Sequence, residues 1–276
     1  MINAVGNRMT REIARQSKLA DQLERLQVQI SSGKRLQRAS DDPVAARRIA
    51  TIGKTQASAA TWAANVKTAE SRVAQADTAL GSVGNLLVRA RELTLSAASS
   101  TTNPADRASI AAELAGIADE IDGFAATRDA NGEPLFAAGS ARQVRFDADV
   151  SFAPVPSASD VFVMGGNSLS TGLRDAAAAV ASGDQAAIGS ALTALSDGVS
   201  HVADQRGAMG LSAGRLERIG DSLKARGIEL SDERSAVEDT DLSVAIAQLN
   251  AQDITLQAAQ AAFARINRQT LFDILG

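Results

Sequence analysis

Residues 186–230 read AAIGSALTALSDGVSHVADQRGAMGLSAGRLERIGDSLKARGIEL, and within them Leu195, Val202, Met209, Leu216, Leu223 and Leu230 recur at every seventh position. Ile188, Leu192 and Val199 fill alternate three- and four-residue steps at the start. This period puts the apolar side chains in one stripe along a long helix, and so narrow a stripe is buried only when other helices lie alongside it. The partners must come from the rest of the chain or from other chains.

Upstream, Val66, Ala69, Val73, Ala76, Leu80, Val83, Leu87 and Ala90 form a complete heptad series. It belongs to a helix predicted from Pro43 to about Ser96, which would reach on the order of 80 Å at 1.5 Å per residue. Asp42 is positioned to cap that helix and Pro43 to occupy its first turn, so the Asp41-Asp42 pair reads as capping rather than as an acid–base or metal site. After a turn at Ser99–Pro104, with Asn103 as cap, a shorter helix carries Ile110, Leu114, Ile117, Ile121 and Phe124, antiparallel to its predecessor because the connection is short.

Between Thr127 and Gly172 the pattern changes. Asn131-Gly132 signals a turn, Val144, Phe146, Val150 and Phe152 alternate with polar residues, and Val161-Phe162-Val163-Met164 reads as a further short strand. Residues from Arg174 to Ala181 are expected to be helical, with Gly183-Asp184 breaking the chain before the long helix. Ser231-Asp232-Glu233-Arg234 and Glu238-Asp239-Thr240-Asp241 mark its far boundary.

Both ends of the chain are amphipathic helices. The first places Leu19, Leu23, Leu26 and Ile30 on one face and stops at Ser31-Ser32-Gly33, leaving Lys34–Arg38 as an exposed or partner-facing connection. The last carries Leu242, Ile246, Leu249, Leu256, Phe263 and Ile266 and ends in an apolar run containing Leu271 and Phe272. An apolar terminus is a liability unless covered, so these two helices are expected to pair with each other or with neighbouring subunits. The fold class that results is mainly α: a rod-like bundle of long antiparallel helices with paired terminal helices and a small β-containing insertion. Its parts are 1–42 (N-terminal helix and connection), 43–126 (first half of the bundle), 127–172 (β-rich region), 173–234 (second half of the bundle) and 235–276 (C-terminal helix).

Composition narrows the function. Of 276 residues 45% are hydrophobic, but the only aromatics are seven Phe and one Trp, which suits closely spaced helices built from small aliphatic side chains. A net charge of −4 offers no basic field for a phosphate backbone, so nucleic acid is not an expected partner. No apolar run approaches the roughly 20 residues of a membrane span, and no secretory signal opens the chain, so membrane insertion is not expected. The absence of cysteine removes disulfides, thiolate metal sites and a cysteine nucleophile. There is no phosphate-binding loop and no nucleophile elbow. The single histidine, His201, reads as a solvated helix residue, Met209 as core, and Arg89, Arg91 and Glu92 as a wet face with local ion pairs. No cofactor, metal or catalytic residue is expected. An intracellular coiled-coil adaptor and an enzyme with its site between Asn131 and Gly166 are the competing classes.

Several separated motifs resemble one family. Ser31-Ser32-Gly33-Lys34-Arg35-Leu36 and Ser40-Asp41-Asp42-Pro43-Val44-Ala45 are similar to the N-terminal signature of the bacterial flagellins and the hook–filament junction proteins related to them. The stretch Leu86–Ser96, LLVRARELTLS, with Ala111–Leu114 and Glu120–Asp122, resembles the flagellin core, and Val237–Leu242 resembles the entry to its C-terminal helix. Asn131–Phe136 and the ending Leu271–Leu275 look more like the junction proteins, whereas Met1-Ile2-Asn3-Ala4 departs from their usual start and keeps a filament subunit as the alternative.

The resemblance implies an inner core of paired terminal helices, a surrounding bundle and an outward β insertion. It implies type III export without a cleaved signal, an export chaperone bound through the C-terminal region, and assembly with copies of itself, a neighbouring hook-associated protein and flagellin in an extracellular flagellum. The residues expected at the assembly interface are the terminal-helix positions named above. Arg89, Leu93 and Glu113 are similar to a flagellin surface recognised by an innate immune receptor.

Overall fold

A computed structural model describes the backbone of residues 2–99, 103–129 and 131–275 and the side chains of residues 9–99, 103–129 and 131–265. The elements in chain order are α1 (Ile2–Ser32), α2 (Pro43–Ala97), α3 (Pro104–Ala125), β1 (Val144–Arg145), β2 (Ser151–Phe152), α4 (Ala158–Phe162), β3 (Val163–Met164), β4 (Asn167–Ser168), α5 (Leu169–Ser182), α6 (Gln185–Glu238) and α7 (Leu242–Leu275). They divide into two compact units: a terminal unit, Met1–Gln56 with Gly227–Gly276, and a central unit, Ala57–Arg226.

In the central unit the heptads determine the packing. Every member of the α2 series from Val66 to Ala90 is buried, as are Ile188, Leu195, Val202, Met209, Leu216 and Leu223 of α6. The two helices run antiparallel: a Cβ added at Gly84 would lie 3.9 Å from Val202, and one at Gly220 would lie 3.5 Å from Val66. At Gly198 an added Cβ would meet Leu169 at 3.4 Å, an ordinary van der Waals contact, so the start of α5 packs directly over this turn of α6. Arg206 lies over Gly81 and pairs with Asp77, Nε to Oδ1 at 2.9 Å and Nη2 to Oδ2 at 3.2 Å.

Helix α3 starts where Asn103 and Pro104 direct it, with Asn103 Oδ1 accepting from the Asp106 amide at 2.8 Å. Its neighbour α2 is joined through Arg89 and Glu113, but α3 packs most extensively on α5. Arg174 of α5 holds both Asp119 and Asp122 of α3, at 2.9 and 2.7 Å. Helix α5 is capped by Ser168 and ends on Gly183 in the left-handed region at φ 72, so it begins five residues before the Arg174 expected from periodicity.

The strand content is small. Val144 pairs with Phe152 and Val163 with Ser168 in two separate two-stranded antiparallel sheets. Val161 and Phe162, expected to be extended, form the last turn of α4 instead. A capping box causes this: Ser157 Oγ accepts from the Asp160 amide and Asp160 Oδ2 accepts from the Ser157 amide, both at 3.1 Å. The chain then reverses at Gly165 and Gly166, both with positive φ. Leu135, Phe136, Phe146, Val155, Val161 and Phe162 belong to the same buried cluster as the α2 and α6 heptads, with Phe136 and Phe162 meeting edge to face at 5.2 Å.

In the terminal unit α1 packs on α7. The first turn of α2 is capped by Asp42, whose Oδ1 accepts from the amides of Val44 and Ala45 at 3.1 and 3.0 Å. Ser231–Arg234, expected at a boundary, lies inside α6. The break falls later, at Asp239–Asp241, where Asp241 Oδ1 accepts from the amides of Ser243 and Val244. On the exposed part of a helix the cap-forming residues cost little, so their presence at Ser231–Asp232 does not stop it.

Candidate assembly surface

The α1 residues expected at the assembly interface lie along one face of the helix, where α1 packs on α7 of the same chain. Leu26 is buried and Leu19, Leu23 and Ile30 are half-buried; the same face continues through Gln16 and Glu12 in steps of three and four. On α7 the seam is shifted from the apolar residues that first draw attention. Its inward positions are Ala245, Leu249, Gln252, Leu256, Ala259 and Phe263, whereas Leu242 and Ile246 are 47% and 46% exposed. The large side chains at 242 and 246 flank Ala245, which is 3% exposed and takes the central place. A four-three-four spacing through small and amide residues is the signal that would have found it. The side chains of Ile266, Leu271 and Phe272 lie outside the described residues.

Two seam residues work against tight pairing. Gln16 Nε2 and Gln252 Oε1 are shut off from solvent with no hydrogen-bond partner among the described residues, and an unsatisfied amide on a helix–helix seam costs stability. Outside the seam, apolar side chains face water. Met9, Ile13 and Val28 of α1, Val44 of α2, Ile228 of α6, and Leu242, Val244, Ile246 and Ile254 of α7 are all exposed. The buried apolar residues of this unit, among those described, are Leu26, Ala45, Ile52 and Ala245. These exposed apolar positions are candidates for contact with another chain.

The other candidate surface is split. Arg89 reaches Glu113 across α2 and α3, Nε and Nη2 to Oε1 at 3.1 and 3.0 Å, with both side chains about half exposed. Leu93, by contrast, is 8% exposed and belongs to the core. Arg89 and Glu113 therefore present to solvent as an ion pair and Leu93 does not accompany them.

His201 is half-buried rather than solvated. Its Nε2 is shielded from solvent and has no hydrogen-bond partner among the described residues. Among the described residues no group of His, Cys, Asp and Glu is arranged to hold a metal ion. A cleft of about 730 Å³ separates α2 from the loops carrying Asp129–Val144 and Val155. At its wall Arg72 Nη1 meets Asp129 Oδ2 at 2.9 Å and Arg72 Nη2 donates to the Pro134 carbonyl at 2.8 Å. Asp129 also accepts from the amides of Asn131 and Glu133. These bonds fold the Asn131-Gly132 turn. None of the described helices is long and apolar enough to cross a membrane.

The family model of the bacterial flagellin N-terminal helical region matches residues 3–141, and that of the bacterial flagellin C-terminal helical region matches residues 188–275. The chain belongs to the bacterial flagellin family, whose members are structural and not enzymatic, and the family indicates the bacterial flagellum as its setting.

Among solved structures, one assigned to a flagellar hook-associated protein from Vibrio parahaemolyticus is similar at a TM-score of 0.66 and 19% identity, over 72% of this chain and 100% of that one. Xanthomonas campestris FlgL is similar at 0.59 and 15%, over 67% and 99%. Bacillus cereus FlgL is similar at 0.56 and 18%, over 67% and 99%. A search of curated proteins gave no match.

Proposed function

We propose that this protein is the hook–filament junction subunit, of the hook-associated protein 3 type, exported by the flagellar type III apparatus and built into a helical lattice. The observation that carries the reading is the terminal unit, which leaves Met9, Ile13, Leu242, Val244, Ile246 and Ile254 in water on α1 and α7. Apolar helices that gain cover only on docking supply free energy to assembly, at roughly 25 cal/mol per Å² buried. Contacts repeated head to tail around an axis make an open tube rather than a closed ring of fixed size.

The junction role also draws support from the likeness in fold to hook-associated structures. In this reading the neighbours are copies of the same chain, a second hook-associated protein and flagellin, and an export chaperone covers the C-terminal helix before assembly. Type III export takes an unfolded chain, and one without cysteine has no disulfide to reduce first.

The test is electron microscopy of cells lacking the gene, with the culture medium probed for flagellin. Hooks without filaments and flagellin released as monomer are expected. Shortened or absent filaments with no flagellin in the medium would make the chain the filament subunit instead, and normal flagella would remove both roles.

A further inference from the structure

Asn131-Gly132 is the only Asn-Gly pair in the chain, and it carries a chemistry that its place in a turn does not use. When the glycine's backbone nitrogen loses its proton it can attack the Asn131 Cγ. A bond forms between that nitrogen and Cγ, the bond from Cγ to Nδ2 breaks, and ammonia leaves behind a cyclic imide. Water then opens the ring at the Cγ carbonyl to give aspartate, or at the main-chain carbonyl to give isoaspartate. Glycine is the most permissive neighbour for this reaction, because it has no Cβ to obstruct the approach and its backbone turns freely.

The turn cannot dispense with that glycine. Gly132 stands at φ 79, a conformation that strains any other residue, although an added Cβ would meet nothing within 4 Å. The reactive pair is therefore a condition of the fold.

The bonds around the pair hold the reactive nitrogen away from Cγ. The Gly132 amide donates to the Asp129 carbonyl at 2.9 Å. The amides on either side, those of Asn131 and Glu133, donate to Asp129 Oδ1 at 2.9 and 3.0 Å, and the Gly132 carbonyl accepts from Arg128 Nη1 at 2.7 Å. Asp129 is itself fixed. Its amide donates to the Glu133 carbonyl at 2.8 Å, and its carboxylate, with the side chain only 4% exposed, meets Arg72 at 2.9 Å. Ring closure has to break the bond from Gly132 to Asp129 and swing a peptide unit whose neighbours are tied on both sides. Asn131 itself is exposed, so water and base reach it, and hydrogen bonding rather than exclusion of solvent is what restrains the reaction.

We propose that Asn131 is a latent deamidation site, guarded in the folded chain by the Asp129 turn and released whenever that turn opens. Either product places a new negative charge beside Asp129 and Glu133. Isoaspartate also adds an atom to the main chain inside the turn, so Asp129 can no longer hold both flanking amides. A chain that has spent long unfolded is thereby marked and cannot rebuild this wall of the cleft. The inference concerns the central unit alone and stands whether or not the junction role does.

Peptide mass mapping of the full-length chain, incubated in mildly alkaline buffer with and without guanidinium chloride, tests it. Conversion of Asn131 should be roughly a hundredfold slower in the folded chain than in the denatured one. Asp129→Ala should raise the folded-state rate roughly tenfold or more, with Trp62 fluorescence showing that the central unit is still folded. Arg128→Ala covers the case in which that variant does not fold. It removes only the exposed bond to the Gly132 carbonyl and should raise the rate roughly threefold. Equal rates in the folded and denatured wild type would overturn the guard, and an unconverted Asn131 in the denatured chain would overturn the site. Folded variants that keep the wild-type rate would show that the Asp129 turn is not what protects it.

Discussion

The central and terminal units are made from the same kind of helix, yet they dispose of their apolar residues in opposite ways. In the central unit the α2 and α6 heptads close on each other and on the Leu135, Phe136 and Phe146 side chains of the loops, leaving few large apolar residues in water, such as Leu95 and Leu211. In the terminal unit α1 and α7 cover one narrow seam and leave most of their remaining large apolar side chains exposed. Periodicity alone does not separate the two cases. The difference lies in the number of helices available: the central unit has α3 and α5 to complete its core, and α1 and α7 have mainly one another.

Several measurements would sharpen or break that contrast. Trp62 is the only tryptophan, is partly buried against the central core and reports on that unit alone. The largest loss is expected for Asp129→Ala, which strands the Arg72 guanidinium and the amides of Asn131 and Glu133. A cost of about 3–5 kcal/mol should appear in denaturant titration of Trp62 fluorescence. Leu80→Ala opens a cavity at a site with no exposure and should cost about 2–5 kcal/mol by the same titration. A Leu80 variant with wild-type stability would mean that the central core is loosely packed. Asn103→Ala removes the cap of α3 and should cost about 1 kcal/mol.

In the terminal unit the corresponding change should be nearly silent in the free chain. Ile254→Ser, at 67% exposure, should alter stability by no more than about 0.5 kcal/mol. It should nonetheless weaken assembly, read by sedimentation of polymerised protein. Unimpaired polymers would show that this face of α7 is not a contact.

Acid distinguishes the units more gently. Hydrogen bonds from Arg234 and then Lys34 hold the Glu238 carboxyl below the usual range, with Asp239 the acidic group beside them. A carboxyl depressed in the folded state stabilises fully above its unfolded value of about 4.3, and that contribution is lost as the pH falls through its lower folded value. The amides of Arg35 and Thr240, which donate to the Glu238 and Gly33 carbonyls, should therefore lose protection below about pH 4. Asp122, lowered by the Ser170 hydroxyl and Arg174, and Asp160, lowered by Ser157, follow the same sign in the central unit. They sit beside a large apolar core, so the Trp62 signal should change less there.

What the sequence determined by itself was the helical frame. Seven-residue spacing places Val66 to Ala90 and Leu195 to Leu223 on single stripes whatever they pack against, and Asp42-Pro43, Asn103-Pro104 and Gly183 set helix ends through bonds that reach no more than four residues. The motifs at both ends of the chain were legible for the same reason, being short and contiguous. Tertiary structure decided the rest. The four apolar residues Val161–Met164 fit a strand or a helix equally well, and the Ser157–Asp160 box with the room beside Phe136 selected a helix for the first two. Leu93 and Leu95 are equally apolar, and only the packing of α2 buries one and exposes the other. On α7 the seam runs through Ala245 and Gln252 rather than Leu242 and Ile246, which only the packing of α1 on α7 decides. Periodicity gives a helix its faces, but only contacts between residues distant in sequence determine which face is covered.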